Sequence, residues 1–113
     1  MPYSGSIVSS NSLAGTATVL VGHRCILTGA CVINTTGADA YVQLFDAAAV
    51  TDVSVGTTIP TWAIQTDFGK GLVNESSNIP EGGISFVNGI VGASCTTPTG
   101  STGAAQHVRL AII

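Results

Sequence analysis

Short runs of β-branched and aromatic residues recur along this chain, and each run soon ends at a glycine or another turn-forming residue. No segment carries the 3.6-residue spacing of apolar side chains that an amphipathic helix needs. The runs number about seven or eight and follow one another at intervals of roughly 10–15 residues, which is typical of antiparallel sandwiches and barrels. The sequence therefore predicts an all-β fold, either an antiparallel β-sandwich or a jelly-roll-like barrel.

Alternation within the runs predicts which side chains face a core. In 61–68 one face carries Trp62, Ile64, Thr66 and Phe68. In 106–113 the core-facing residues are Val108, Leu110 and Ile112, with His107 and Arg109 facing away. In 40–45 Val42 and Leu44 point one way, and Tyr41, Gln43 and Phe45 point the other way. Because both faces of 40–45 are partly apolar, we predict contacts on both sides and name Tyr41 and Phe45 as partner-binding residues.

The segment 25–34 is a longer predicted strand that contains two of the three cysteines. Its alternation puts Cys25, Leu27, Cys31 and Ile33 on one face, and Gly29 in mid-strand indicates a bulge. Cys25 and Cys31 lie about 20 Å apart on an extended strand and cannot bond each other there. A bond from either one to Cys95 stays open, but the favoured interpretation is three reduced thiols that pack as small apolar side chains.

The first 16 residues are rich in serine and glycine and predict an extended N-terminal arm, ahead of a single sandwich domain over residues 17–113. Ile7 and Val8 form an apolar pair in this arm, which predicts that they bind a partner, for example by adding a strand to its sheet. On this hypothesis, deleting residues 1–14 leaves a folded domain that no longer binds. The first six residues have neither the basic nor the apolar region of a signal peptide, which predicts assembly in the cytoplasm.

Charged residues make up 8% of the chain, against about 25% in a typical soluble domain. A weakly charged, mildly apolar surface protects poorly against association, so we predict that protein neighbours cover much of it. A secreted protein with a serine- and threonine-rich surface is the alternative. Three basic residues are too few for a phosphate-binding face, which predicts no nucleic-acid partner. The uncharged stretch 82–106 is interrupted by Gly, Ser, Thr and Pro, which predicts no membrane partner.

Sequence signatures of catalysis are missing, since the chain has neither a nucleophile elbow nor a phosphate-binding glycine loop. The remaining candidates are a weak zinc hint and two acidic pairs in loops: His23 with Cys25, Asp46 with Asp52, and Glu75 with Glu81. Acidic residues in loops usually serve only to keep the loops solvated. We therefore predict that the protein is not an enzyme and has no catalytic, metal or cofactor site.

Several segments resemble a pattern in small β-sandwich proteins that the structural gene clusters of tailed bacteriophages encode. They are 32–47, 56–60, 83–90 and the threonine-rich loop before the last strand. The resemblance extends roughly over residues 25–113 and leaves out the arm and the cysteines. The similar proteins are virion components of the head-decoration, cement or tail type, a class without catalytic residues.

The resemblance implies a capsid decoration or cement protein that binds the major capsid protein or other virion subunits at the capsid surface. It implies a symmetric homo-oligomer, with a trimer favoured, that clamps neighbouring capsid subunits. A protein that binds only the assembled lattice stabilises it by mass action, and simultaneous contacts add avidity. Two alternatives remain: a tail or baseplate component of similar fold, and a carbohydrate-binding module with Trp62 and Tyr41 as stacking platforms.

Overall fold

The computed structural model describes residues 5–66, 72–74 and 79–113 of the chain. In these ranges the chain forms nine short strands and one 3-10 helix, Val50–Asp52. The strands are β1 (Ser6–Leu13), β2 (Thr18–Val21), β3 (Cys25–Ile33), β4 (Ala40–Asp46), β5 (Trp62–Thr66), β6 (Leu72–Asn74), β7 (Ile84–Phe86), β8 (Ile90–Cys95) and β9 (Gln106–Ile112). The all-β prediction is confirmed. Among the described residues no helix has the length and apolar character needed to cross a membrane.

The strands form two antiparallel sheets. Sheet A has the order β1-β9-β3-β6, and β7 also pairs with β3. Sheet B has the order β2-β8-β4-β5. Strand β6 pairs with 31–33 and β7 with 25–27, so the two short strands lie beside different halves of β3. The two sheets pack against each other as a β-sandwich, which confirms that part of the prediction.

The main core lies between the two sheets. Sheet A contributes Leu27, Val32, Val108 and Leu110, and sheet B contributes Val42, Leu44 and Ile64. Each of these side chains is at most 1% exposed, and burying one stabilises the fold by about 1.5–3 kcal/mol. The predicted inward residues of β5 and β9 are thus confirmed, except that Phe68 lies outside the described residues.

A second, smaller cluster covers the outer side of sheet B. It consists of Phe45, Ala47, Val91, Ala93 and Cys95, packed beneath Ala17, Val53 and Val55. On the same side Gln43 is fully buried, and its Nε2 donates to the carbonyl oxygens of Thr97 and Gly100, both at 3.0 Å. Strand β4 therefore makes contacts on both sides, as predicted. The second side is covered by loops of the same chain, however, and not by a partner.

A bulge interrupts the pairing of β3 with β9. Leu27 lies opposite Ile112, and Gly29 lies opposite Ala111, so Thr28 is an extra residue between the two pairs. The bulge that the sequence predicts at this glycine is confirmed. An extra residue reverses the alternation of side chains beyond it, because successive residues of a strand point to opposite faces.

The reversal changes the position of one cysteine. Cys25 and Leu27 face the main core, whereas Cys31 and Ile33, beyond the bulge, are only partly buried and lie on the outer side of sheet A. The prediction that these four residues share a face is therefore wrong. Simple alternation across 25–33 fails here, because the extra residue at the bulge shifts every later side chain to the opposite face.

The segment predicted to be an arm is a strand of sheet A over most of its length. Ser6–Leu13 pairs with β9, Val8 packs against the main core, and Leu13 is 1% exposed. The prediction of an arm over residues 1–16 is therefore wrong for residues 6–13. Serine-rich composition is typical of flexible segments, but the backbone hydrogen bonds of a strand do not depend on the side chains. Residues 1–4 lie outside the described part of the chain.

A buried polar network joins the two sheets at one end of the sandwich. Gln106 of sheet A is fully buried. Its Oε1 accepts a hydrogen bond from Thr66 Oγ1 at 2.6 Å, and its Nε2 donates to Ser94 Oγ at 2.8 Å. Thr66 and Ser94 belong to sheet B, and Ser94 Oγ donates in turn to the carbonyl oxygen of Ala104. Each of these three buried side chains has a hydrogen-bond partner, so the network links the two sheets without leaving its own polar groups unpaired.

Candidate functional site

The outer side of sheet A carries apolar side chains that no described segment covers. Ile7 on β1 is 67% exposed, and Ile113, directly after β9, is 51% exposed. Smaller side chains form the shallow floor beside them. We call this surface the open face and define it by six residues: Ile7, Gly29, Cys31, Arg109, Ala111 and Ile113.

Strand pairing fixes the layout of the open face. Ile7 lies opposite Ala111, and Ala111 lies opposite Gly29, so a large side chain stands at the edge of a row of small ones. Cys31 lies opposite Arg109 in the next outward row. Arg109 is the only charged member of the open face. Arginine is enriched at protein interfaces, whereas lysine, the acidic residues and alanine are depleted there.

Of the four predicted partner-binding residues, only Ile7 lies on the open face. Val8, the next residue of the strand, turns inward and packs against the main core. Phe45 is 2% exposed beneath loops of its own chain. Tyr41 is half-buried on the outer side of sheet B, opposite Cys95 and Gln65. The structure does not bring the four residues together, and Val8 and Phe45 serve the packing of the chain itself.

The other members of the open face were not predicted as a site. Alternation in 106–113 places Arg109 and Ala111 on the side that faces away from the core. This pattern is the signal by which both residues could be found. Cys31 could be found only by shifting the alternation of β3 by one residue at Gly29. Alternation also turns Ile113 outward, but it does not show which strands surround β9 and leave this side chain exposed.

The predicted chemical candidates lie apart from one another. His23 is exposed, and its Nδ1 lies 3.0 Å from the carbonyl oxygen of Arg24, whereas Cys25 is buried. Within residues 5–66, 72–74 and 79–113, no group of three or more His, Cys, Asp or Glu residues is placed to hold a metal ion. Asp46 accepts a hydrogen bond on Oδ1 from the Asn88 backbone at 2.8 Å, a contact that orders a turn.

The acidic pairs likewise do not form a described site. Asp52 lies in the exposed 3-10 helix, and Glu81 lies in an exposed turn after Pro80. Glu75 lies outside the described residues. Neither Asp52 nor Glu81 lies on the open face.

The three cysteines are free thiols in different surroundings. Cys25 belongs to the main core, Cys95 to the second cluster and Cys31 to the open face. Burial raises the pKa of the Cys25 thiol, and the nearby carboxylate of Asp46 raises it further. Burial alone raises the pKa of Cys95. Both buried thiols therefore stay protonated at neutral pH, which fits their role as apolar filler.

Native thiol labelling is expected to distinguish these surroundings. Iodoacetamide at pH 8 should modify Cys31 alone in the folded protein, because alkylation requires an accessible thiolate. All three thiols should react once denaturant unfolds the chain. Mass spectrometry of the intact protein and of its peptides checks the number and the site. Labelling of Cys25 or Cys95 at the rate of Cys31 would contradict the described burial.

The two aromatic residues of the carbohydrate alternative lie on opposite sides of sheet B. Trp62 lies opposite Leu44 and packs against the main core. Tyr41 points to the outer side of the same sheet. The two rings therefore cannot form one stacking platform for a sugar.

The described residues form an all-β sandwich whose sheet A carries the open face on its outer side. Comparison of the chain with protein-family models, with curated proteins and with solved structures gives no match.

Proposed function

We propose that the chain is a phage virion structural protein of the capsid decoration or cement type. The observation that carries this proposal is the open face, where Ile7 and Ile113 stand exposed beside a floor of small side chains. The resemblance of 32–47, 56–60 and 83–90 to phage virion proteins supports the choice of partner. In this proposal the open face binds capsid subunits, and the protein acts as a homo-oligomer.

The proposed stabilisation of the capsid depends on binding alone and involves no chemical reaction. A subunit that binds only the assembled shell lowers the free energy of that shell relative to its separate subunits. Small side chains such as Gly29 and Ala111 let a neighbouring backbone or side chain approach the sheet closely. Ile7 and Ile113 each add apolar area at about 25 cal/mol per Å² removed from water. Several such contacts on one oligomer add avidity, so each contact can be modest.

We also propose that the sandwich is a jelly roll. The strand orders β1-β9-β3-β6 and β2-β8-β4-β5 support this. When β6 and β7 are counted as one position, eight strands divide equally between the sheets, and chain neighbours mostly cross from one sheet to the other. Jelly rolls occur in viral capsid domains, but also in lectins and cupins. The fold is therefore compatible with a virion protein without determining that function.

A tail or baseplate component would use the same face and remains the structural alternative. Electron microscopy of virions labelled with antibody against this chain separates the two locations, since decoration proteins cover the shell and tail proteins do not. Label confined to the tail would overturn the capsid assignment and leave the open face as the binding surface.

Replacing Ile7 with aspartate is expected to weaken binding to capsids by roughly tenfold to a hundredfold, because burying an isoleucine contributes about 1.5–3 kcal/mol. Ile59→Asp is the matched control, since Ile59 is 82% exposed but lies outside the open face. Co-sedimentation with phage capsids that lack the protein measures both variants. Equal binding by wild type and Ile7→Asp, or equal loss in the two variants, would overturn the assignment of the open face.

A further inference from the structure

Strand β1 is an outer strand of sheet A, and its second edge pairs with no described residue. It is eight residues long and contains neither a charged residue nor a proline. Natural proteins usually protect open edges with charges, prolines or very short strands. The other outer strands, β2, β5, β6 and β7, have four, five, three and three residues. The β1 edge is therefore the longest outer edge in the described fold and the one least protected against pairing.

Hydrogen bonds elsewhere in sheet A show which backbone groups face this edge. Ile113 and Ile26 exchange both backbone hydrogen bonds, at 2.9 and 3.1 Å, so Ile113 turns its N–H and C=O toward β3. In an antiparallel sheet, successive residues of an inner strand turn these groups to opposite neighbours. Residues 108, 110 and 112 of β9 therefore turn theirs toward β1.

The same alternation continues in β1. Ser6, Val8 and Ser10 lie opposite residues 112, 110 and 108 and bond with them. The N–H and C=O groups of Ile7 and Ser9, which lie between them, consequently point away from β9. Two donors and two acceptors are thus aligned on the open edge, ready to pair with another strand.

We propose that this edge pairs with the same edge of a second copy of the chain, antiparallel and about a two-fold axis near Val8. Ile7 then lies opposite Ser9 of the second copy, and each such pair exchanges both backbone hydrogen bonds. Two-fold pairing brings the residues beside the axis close to their own counterparts, so a charge there would repel itself. The strand has none. Closed two-fold dimers are the commonest symmetric assemblies of soluble proteins.

The proposed pairing also covers the most exposed apolar side chain of the strand. The two Ile7 side chains lie diagonally across the axis on the outer side of the joined sheet, at roughly 7–8 Å, which long side chains can span. Ile7 is 67% exposed in the single chain. The irregular register between Ser10 and Leu13 ends the pairing, because a bulge bends the strand away.

The assembly unit is then a dimer and not the trimer that the resemblance implies. Its two A sheets form one continuous sheet, and both open faces lie on the same side. If the proposed function holds, one dimer would contact capsid subunits at two places, with the gain in avidity that this brings. This consequence depends on the proposed function, whereas the pairing itself does not.

Light scattering of the full chain across a concentration series tests the pairing. The wild type is expected to approach twice the 11.3 kDa mass of one chain. Ser9→Pro removes only an N–H that points to the open edge, so the bonds to β9 remain. It deletes two of the inter-chain hydrogen bonds and should raise the dimer dissociation constant roughly tenfold to a hundredfold. Ser9→Ala keeps the N–H and should dimerise as the wild type does.

Circular dichroism and thermal unfolding confirm that the variants are folded. A wild type that stays monomeric, a trimer, or a Ser9→Pro dimer as tight as the wild type would overturn the pairing. Loss of capsid binding in Ser9→Pro without any wild-type dimer would show that the edge pairs with a different protein, which also overturns it. A monomer that still co-sediments with capsids would overturn the pairing and leave the proposed function standing.

Discussion

Deletion of residues 1–14 is expected to abolish stable folding of the domain. The deletion removes β1, and with it the core contacts of Val8 and Leu13. Losing a buried leucine side chain alone costs about 2–5 kcal/mol, and the unpaired edge of β9 adds to the loss. Because small domains are stable by only about 5–15 kcal/mol in total, little or no folded protein should remain. Circular dichroism and urea unfolding measure the effect.

Deletion of residues 1–4 is the control for shortening the chain, because it leaves β1 whole. If the 1–14 deletion unfolded as cooperatively as the full chain, and at the same denaturant concentration, the segment would be an arm after all. The result bears directly on any binding assay, since a truncation that unfolds the domain says nothing about what the segment binds.

Gly89→Ala is expected to destabilise the protein by about 2–6 kcal/mol. Gly89 has a φ of +141°, a conformation that costs other residues about 1–3 kcal/mol. A Cβ at this position would also collide with the carbonyl oxygen of Val21 and come within 3.0 Å of the carbonyl oxygen of Ala47. Both are backbone atoms, and Ala47 N donates to the Gly89 carbonyl at 3.3 Å, so neither can move freely. Forced crowding of this kind adds about 1–3 kcal/mol.

The matched control is Gly82→Ala. Gly82 also has a positive φ, +89°, but a Cβ there meets nothing within 4 Å. The loss of unfolding free energy in Gly82→Ala should be limited to the conformational cost of about 1–3 kcal/mol. Urea unfolding at equilibrium gives both free energies of unfolding. Equal losses in the two variants would show that the backbone around Gly89 yields to the new side chain.

The sequence predicts the all-β class and the core-facing residues of β5 and β9 because a strand with one buried face leaves a period of two. This signal is local, so it persists without any knowledge of neighbouring strands. The period of two does not reveal which strands pair with one another. Strand β1 has mostly small polar side chains, and its place in sheet A depends on backbone hydrogen bonds to β9, a strand about one hundred residues away in the chain.

The candidate site shows the same limit more sharply. Alternation correctly turns Phe45 away from the main core, but it gives no sign that Val53 and Val55 fold back over it. The sequence predicts Ile7 as an apolar residue of an extended arm, yet its exposure comes from its outward position on an edge strand. Predicting the outward position of Cys31 requires both the bulge at Gly29 and the reversal of alternation that the bulge causes.

The two outer surfaces of the sandwich are unequal, since loops of the chain cover the middle strands of sheet B, whereas no described segment covers the open face of sheet A. A molecule with one open side and one loop-covered side can lie on a flat support in one orientation. The exposed 3-10 helix Val50–Asp52 belongs to the loop-covered side of sheet B. If the open face binds capsids as proposed, a peptide grafted onto this helix points away from the capsid, and the fold determines its direction.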